Sequence, residues 1–451
     1  RPARHRWVRV SCSQGRMGGD CLNTGCVPSK ALVAAAHAAD AVRRSGRFGF
    51  NGHEPDIDFL QVRGHVHDVI AGIAPHDSVE RFEELGVTVL RARARFTGPD
   101  VIEAGEARVR ARRFVVATGS SPSIPPIPGL AEAPTLTNET IFDLDSRPDH
   151  LIVIGGGPIG IEMAQAHRRL GASVTVLEHG SILPKDDPDA VGVVRRRLIA
   201  EGVTIRERAK VIDARGRGNG VAATAEIDGT LVEVVGSHLL AAAGRRANVD
   251  ALGLDAAGIE HSPNGITVDA RLRTSNRHVF AIGDVTGGYQ FTHMTAYQAG
   301  IVIRNALLHW PAKVDTRAVP WVTYTDPELA HVGLTAARAQ EQGHSVSIVS
   351  YNFAENDRAR AERETEGFIK IVVGRRGKVL GATIVGRSAG ELILPWVLII
   401  GQGLGMAAMA GVIAPYPTLS EISKRVASTY YAPKLFSALT RRIVGLLQRM
   451  S

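Results

Sequence analysis

Apolar runs that end in glycine recur along this chain, and they set out its elements. Phe114-Val115-Val116 precedes Ala117-Thr118-Gly119-Ser120, Leu151-Ile152-Val153-Ile154 precedes Gly155, and Val279-Phe280-Ala281-Ile282 precedes Gly283-Asp284. Unbroken runs of this length predict strands buried on both faces, as in a parallel sheet. A helical pattern follows the second run to Leu170, and a strand at Val174-Thr175-Val176-Leu177 ends in Glu178. Residues 31–45 are alanine-rich and helical in character, continuing from Pro28. Alternating stretches from Val87 to Arg113 predict a small antiparallel unit, and the proline-rich run Pro122 to Pro128 reads as a linker.

Residues 392–420 contain no Asp, Glu, Lys, Arg or His, which is long enough to raise a membrane span. Pro395, Gly401, Gly403, Gly405 and Gly411 break that run, so no span is expected. A length of 451 residues corresponds to about three domains, and 44% hydrophobic residues with 48 Gly is ordinary for a soluble α/β protein. The net charge of +8 comes from Arg spread along the chain, with 5% aromatic residues and no basic block interleaved with them. That is a general bias toward anionic ligands, and no nucleic-acid partner is expected. All three cysteines precede Val27, which excludes a disulfide-stapled secreted fold and fits a reducing, cytoplasmic setting. His65 and His67 point apart on a helix at their i, i+2 spacing, so they read as a solvated face and no metal site is expected.

Two stretches carry chemistry. Gly155-Gly156-Gly157-Pro158-Ile159-Gly160 fits G-x-G-x-x-G directly after a strand and at the start of a helix. Gly155, Gly157 and Gly160 permit a tight turn and close approach of a pyrophosphate, and Glu178, 23 residues past Gly155, can accept hydrogen bonds from a ribose 2′-OH. This carboxylate would repel a 2′-phosphate, which favours NADH over NADPH. Glu162, flanked by Ile161 and Met163, is costly to bury unless paired; otherwise it is an exposed helix-start Glu stabilised by the dipole.

The second stretch is Met17-Gly18-Gly19-Asp20-Cys21-Leu22-Asn23-Thr24-Gly25-Cys26-Val27-Pro28-Ser29-Lys30. Along a regular helix Cys21 and Cys26 would lie about 7.5 Å apart by rise alone, so a disulfide needs a distorted turn, for which Gly25 supplies freedom. Pro28 fits the first turn of a helix, which puts Cys26 at a helix N-terminus with Lys30 one turn on. Those surroundings lower a thiol's pKa. By spacing alone the two cysteines are either a reactive pair or two buried, unbonded small hydrophobes.

These fourteen residues resemble the redox-active segment of class I pyridine nucleotide-disulfide oxidoreductases, the group of dihydrolipoamide dehydrogenase, glutathione reductase and mercuric reductase. The resemblance implies a Cys21–Cys26 disulfide beside a flavin, with Lys30 against flavin N5 and paired to Glu162. Cys26 would be the charge-transfer thiolate and Cys21 the interchange thiol. It further implies that Thr118, Gly119 and Ser120 close over the FAD dinucleotide, that Gly244 ends the NAD domain, and that Gly283 and Asp284 meet the ribityl hydroxyls, with Thr292 and Ala296 beside the flavin. The fold implied is doubly wound α/β domains for FAD and NAD(P) with a C-terminal α+β dimerisation domain. The boundaries are 1–148 (FAD), 149–265 (NAD), 266–314 (FAD, second segment) and 315–451 (dimerisation). The strand, glycine-rich turn and helix that hold the ADP half of FAD in the family are expected to be missing, since Val10-Ser11-Cys12-Ser13-Gln14 stands where the second strand of that unit should end. Cys12 reads as an incidental thiol.

Tyr416-Pro417-Thr418-Leu419-Ser420-Glu421 is similar to a motif that opens with an acid/base His in lipoamide dehydrogenase and glutathione reductase, oriented by the Glu. A phenol with a pKa near 10 cannot shuttle protons near pH 7 as imidazole does, which argues against efficient turnover of lipoamide or glutathione. Mercuric reductases share the Tyr, but deliver Hg(II) through a further cysteine pair near the C-terminus, and no Cys follows Cys26 here. The expectation is a homodimeric NAD(P)H-dependent FAD disulfide oxidoreductase, passing electrons to an unknown small-molecule acceptor. Mercuric reductase-type metal reduction is the alternative, as is a non-catalytic dinucleotide-binding protein that has lost FAD.

Overall fold

The computed structural model describes residues 9–450, so the first eight residues of the basic N-terminal stretch lie outside it. The chain forms two units, one of residues up to Ser181 with Val203–Val314, the other of Ile182–Gly202 with the chain from Asp315 on.

In the first unit, β1 (Arg9–Cys12) leads through a helical turn at Gly19–Asn23 into α1 (Cys26–Arg44) and then α2 (Phe59–Ile73). β2 (Val87–Leu90) pairs with β1 in parallel, Arg9 opposite Val87. Only β3 (Ala94–Gly98), β4 (Val101–Ala104) and β5 (Ala107–Arg110) form the antiparallel meander expected from Val87 onward. The difference has a physical cause: Val87-Thr88-Val89-Leu90 alternates as a meander strand does, and only its long-range partner distinguishes the two. β6 (Phe114–Val116) follows, then β7 (His150–Ile154), α3 (Pro158–Arg169) and β8 (Ser173–Leu177). β7 is central in a five-stranded parallel sheet, between β8 and the strand His238–Ala241. Its unbroken apolar run is explained by that position, since Leu151, Ile152 and Val153 have no exposed surface. β9 (Val279–Ala281) pairs with β6 in parallel, and α4 (Thr292–Ala306) follows it. The parallel β1–β2 and β6–β9 pairs are separate two-stranded sheets.

The second unit holds a five-stranded antiparallel sheet of β10 (Pro320–Thr323), β11 (Glu328–Gly333), β12 (Ser347–Asn352), β13 (Phe368–Val373) and β14 (Val379–Gly386), in the order β10-β11-β14-β13-β12. The uncharged stretch 392–420 breaks at its glycines into α5 (Leu394–Gly401) and α6 (Met406–Ala410). Trp396, Ile399, Ile400, Met406 and Met409 pack into the core against β13 and β14, while Leu394, Leu398 and Ile413 stay exposed. Among the described residues no helix is long and apolar enough to cross a membrane. α7 (Glu421–Leu435) closes the core with Ile422 and Val426.

Trp396 has no exposed surface and donates its indole N–H to Ser423 Oγ at 3.0 Å. Trp396→Ala is expected to destabilise the second unit by about 3–5 kcal/mol. Denaturant unfolding followed on that unit checks this; a midpoint equal to the wild type would contradict the packing described.

Candidate active site

The helix expected to be distorted between the two cysteines is indeed interrupted. The turn Gly19–Asn23 ends at Thr24, Gly25 adopts φ −125° and ψ −113°, and α1 begins at Cys26. Gly25 is required for space, because a Cβ there would sit 2.9 Å from Asp20 O. Asp20 is the hub of this loop. Its Oδ1 accepts from Thr24 Oγ1 at 2.9 Å and from Asn138 Nδ2 at 3.0 Å, and Arg245 Nη2 lies 3.2 Å from its Oδ2.

Both cysteines are free thiols, and they hydrogen-bond to each other. The pair is strongly asymmetric. The contact with Cys21 lowers the Cys26 thiol to about 6; burial opposes this, and the 3.3 Å contact with Thr292 Oγ1 and the charge of Lys30 reinforce it. The same contact, with burial, pushes Cys21 up, so Cys21 keeps its proton. Thr292, expected beside the flavin, thus also touches the Cys26 sulfur.

Lys30 lies one turn into α1 and donates from Nζ to Glu162 Oε2 at 2.8 Å. The Glu162 side chain is 6% exposed, between the fully buried Ile161 and Met163 on α3. A carboxylate that deep needs a cation, and α1 brings it one from a position 132 residues away in sequence.

The glycine-rich turn at the carboxyl end of β7 is built as a dinucleotide site requires. A Cβ on Gly155 would lie 2.4 Å from Ala242 O, and one on Gly160 would lie 2.1 Å from Gly155 O, so both are needed for close packing. Gly157, the N-cap of α3, faces open space within 4 Å, where a pyrophosphate could approach the helix N-terminus. Glu178 Oε2 accepts from Gly156 N at 2.5 Å and Oε1 from Gly180 N at 2.7 Å, which fixes the carboxylate beside the turn.

The second group of expected cofactor residues lies at the carboxyl ends of β6 and β9. Thr118 Oγ1 donates to Asn248 O at 2.8 Å, and Ser120 Oγ donates to Asp284 Oδ2 at 2.6 Å. Gly119 and Gly283 have positive φ, and a Cβ on Gly283 would meet Thr295 Oγ1 at 2.7 Å. Gly244 also has positive φ, next to Arg245, and Ala296 lies in the first turns of α4. Residues able to meet a flavin and its ribityl chain are therefore present and together. Among the described residues, none forms the strand, glycine-rich turn and helix for an ADP half ahead of Gly18.

In the second unit, Tyr416 and Glu421 are not hydrogen-bonded to each other as a His–Glu pair would be. Tyr416 donates its hydroxyl to Asp357 Oδ2 at 3.0 Å, and Arg425, one turn along α7, holds Glu421 Oε1 at 2.6 Å. The Asp357 carboxylate raises the phenol's pKa further. Sequence reasoning passed over Asp20, Asn138, Arg245 and Gln298, the last of which accepts from Gly283 N at 2.7 Å through Oε1. Asp20 stood inside the cysteine segment and Arg245 beside Gly244, so adjacency to a motif was the available signal.

The family description "Pyridine nucleotide-disulphide oxidoreductase" matches residues 2–300, and its dimerisation domain matches residues 319–427. The chain belongs to this family. It is 33% identical over 429 residues to a mercuric reductase of Streptomyces lividans, covering 93% of this chain and 90% of the relative. It is 34% identical over 423 residues to a dihydrolipoyl dehydrogenase of Geobacillus stearothermophilus, covering 92% and 89%. The structure of the HOCl-induced flavoprotein disulfide reductase RclA from Escherichia coli superposes with a TM-score of 0.83 at 27% identity, covering 93% of each chain. Membership implies FAD and a nicotinamide nucleotide, with electrons passing from NAD(P)H through flavin to a disulfide.

Because the Cys26 pKa is lowered, its thiolate is present above about pH 6 and lost below it. In a Cys12→Ser background, alkylation of reduced protein at Cys26 is expected to rise with pH around that midpoint. Thr292→Ala removes a hydrogen bond that lowers the pKa, so its midpoint should move upward. A wild-type midpoint at the ordinary thiol value would contradict the asymmetry of the pair.

Proposed function

We propose that this chain is an NADH-dependent FAD disulfide oxidoreductase working through Cys21 and Cys26. The observation that carries the reading is the asymmetric thiol pair one turn from a Lys30 held by a buried Glu162. Thr118–Ser120 and Gly283–Asp284 would hold FAD, which supplies a ring able to take hydride from a nicotinamide and pass two electrons onward. The chain's own residues do the rest. Gly155, Gly157 and Gly160 with Glu178 bind and orient NADH. Glu162 fixes Lys30, whose charge favours anionic sulfur at Cys26. Reduction of the disulfide then takes up two electrons and one proton: Cys26 is left as thiolate, and Cys21 holds the proton as the thiol that meets the acceptor.

The acceptor is one whose reduction needs no imidazole, because Tyr416 stands at the motif's acid/base position with a phenol pKa raised by Asp357. A disulfide-reducing activity without that assistance is the first reading. Metal reduction is the second: it is favoured by Tyr416 and by the likeness to mercuric reductases, with the two sulfurs as soft ligands for a thiophilic cation. The matched dimerisation domain supports a homodimer.

The visible spectrum of the purified protein, before and after limited NADH, tests the reading. Flavin bands with a long-wavelength shoulder on reduction are expected; a colourless protein that takes up no added FAD would leave only nucleotide binding. Cys26→Ser should abolish disulfide reduction and spare NADH-dependent dye reduction, and unchanged disulfide turnover would remove Cys26 from the role. Glu178→Gln should reduce the preference for NADH over NADPH, read as the ratio of kcat/KM values; an unchanged ratio would assign that preference elsewhere.

A further inference from the structure

The edge of the β6–β9 pair opposite the cofactor turns carries a second concentration of charge. The two strands run in parallel, with Val279 opposite Phe114 and Ala281 opposite Val116. Their carboxyl ends deliver Thr118–Ser120 and Gly283–Asp284 to one edge. Their amino ends deliver Arg113 and Arg277 to the other. There, Arg113 and Arg277 join Arg271, Arg273, Asn305 and His309 around a cavity of about 300 Å3. An adjoining hollow of about 340 Å3 shares Arg273 and Arg277 with it.

Of the four guanidinium groups, one is compensated. Asp269 Oδ2 accepts from Arg273 Nε at 2.9 Å and from Nη2 at 2.6 Å. Arg113 donates through Nη1 to Arg112 O at 2.8 Å and contacts His278 Nδ1 at 3.3 Å, neither of which is an anion. Among the described residues, Arg113, Arg271 and Arg277 have no carboxylate within ion-pair distance. Arginine stays protonated at any physiological pH, so three uncompensated positive charges face one hollow. Planar guanidinium forks match phosphate oxygens in pairs, and His309 adds a further polar side chain.

We propose that this hollow binds a phosphate-bearing anion at a site separate from the redox centre. Its volume suits one or two phosphate groups or a headgroup and is small for a whole dinucleotide. A free polyphosphate and a phospholipid offer the same chemistry. In the lipid case, Leu307, Leu308 and Trp310, at 61%, 62% and 66% exposure beside His309, would enter the acyl boundary.

The test has two arms on the full chain. The first is calorimetric titration with inorganic pyrophosphate. The second is flotation with phosphatidylcholine vesicles, with and without phosphatidic acid. Each is run on the wild type, on Arg271→Ala/Arg277→Ala, and on Arg215→Ala/Arg217→Ala, which removes the same charge elsewhere. Pyrophosphate binding that weakens at least about tenfold only in the first variant supports the site and a free phosphate ligand. Flotation that requires phosphatidic acid and is lost only in that variant supports the site with a lipid source. No binding in either arm, or binding equal in both variants, overturns the proposal. Pyrophosphate held by the dinucleotide turn instead would survive both variants and count against it. Neither readout needs electron transfer, so an inactive redox centre would leave the test standing.

Discussion

The contact on which the rest of the active region depends is the ion pair between Lys30 and Glu162. A carboxylate that is 6% exposed inside an apolar helix face is tolerated only with its cation, so the pair fixes α1 against α3. Cys26 and the glycine-rich turn hang from those two helices. Cys26 opens α1 one turn before Lys30, and the dinucleotide turn opens α3 one turn before Glu162. A displaced Lys30 would therefore disturb a positive charge that lowers the Cys26 pKa and the seating of α3 together.

Around this pair the charges are arranged in opposition. Asp20 holds the cysteine loop in shape through Thr24 and Asn138, yet its charge raises the Cys26 pKa that Lys30 lowers. Arg245 lies 3.2 Å from Asp20 and 3.8 Å from Asp284 and so offers one positive charge to both carboxylates. One guanidinium thus serves the carboxylate of the cysteine loop and the carboxylate of the Gly283–Asp284 turn. It also binds Ser120 through Nε, at 2.7 Å, so the Ser120–Asp284 hydrogen bond and the loop share a single anchor.

What could be read from the sequence was whatever local spacing encodes. The run Leu151–Ile154, the glycines after it, the acid at Glu178 and the N-terminal place of Cys26 all sit within a turn or two of the residues that give them meaning. Glu162 was legible for another reason: a carboxylate between apolar neighbours is costly to bury unless paired, and the resemblance to the family named Lys30 as the partner. The parallel pairing of Val87–Leu90, the hub at Asp20 and the Gln298 contact to Gly283 were not legible. Each depends on a contact between segments far apart in sequence, which no periodicity records. The arginine hollow is of the same kind, because Arg113 and Arg271–Arg277 become neighbours only once β6 and β9 pair.

Proton handling follows from the same asymmetry. A phenol at position 416, hydrogen-bonded to Asp357 and raised above its ordinary pKa, is a poor proton carrier near neutral pH. Two-electron reduction of a disulfide nevertheless needs a proton for one sulfur if the other is to remain anionic. The pair supplies that division internally, since each thiol's shift has the other as its largest cause, lowering Cys26 and raising Cys21. The sulfur that keeps the proton is therefore set first by the contact between the two cysteines, with the charge of Lys30 favouring the anion at Cys26. A centre poised in this way would suit an acceptor that needs no proton of its own, and would lose efficiency where the acceptor is a disulfide whose leaving thiolate must be protonated.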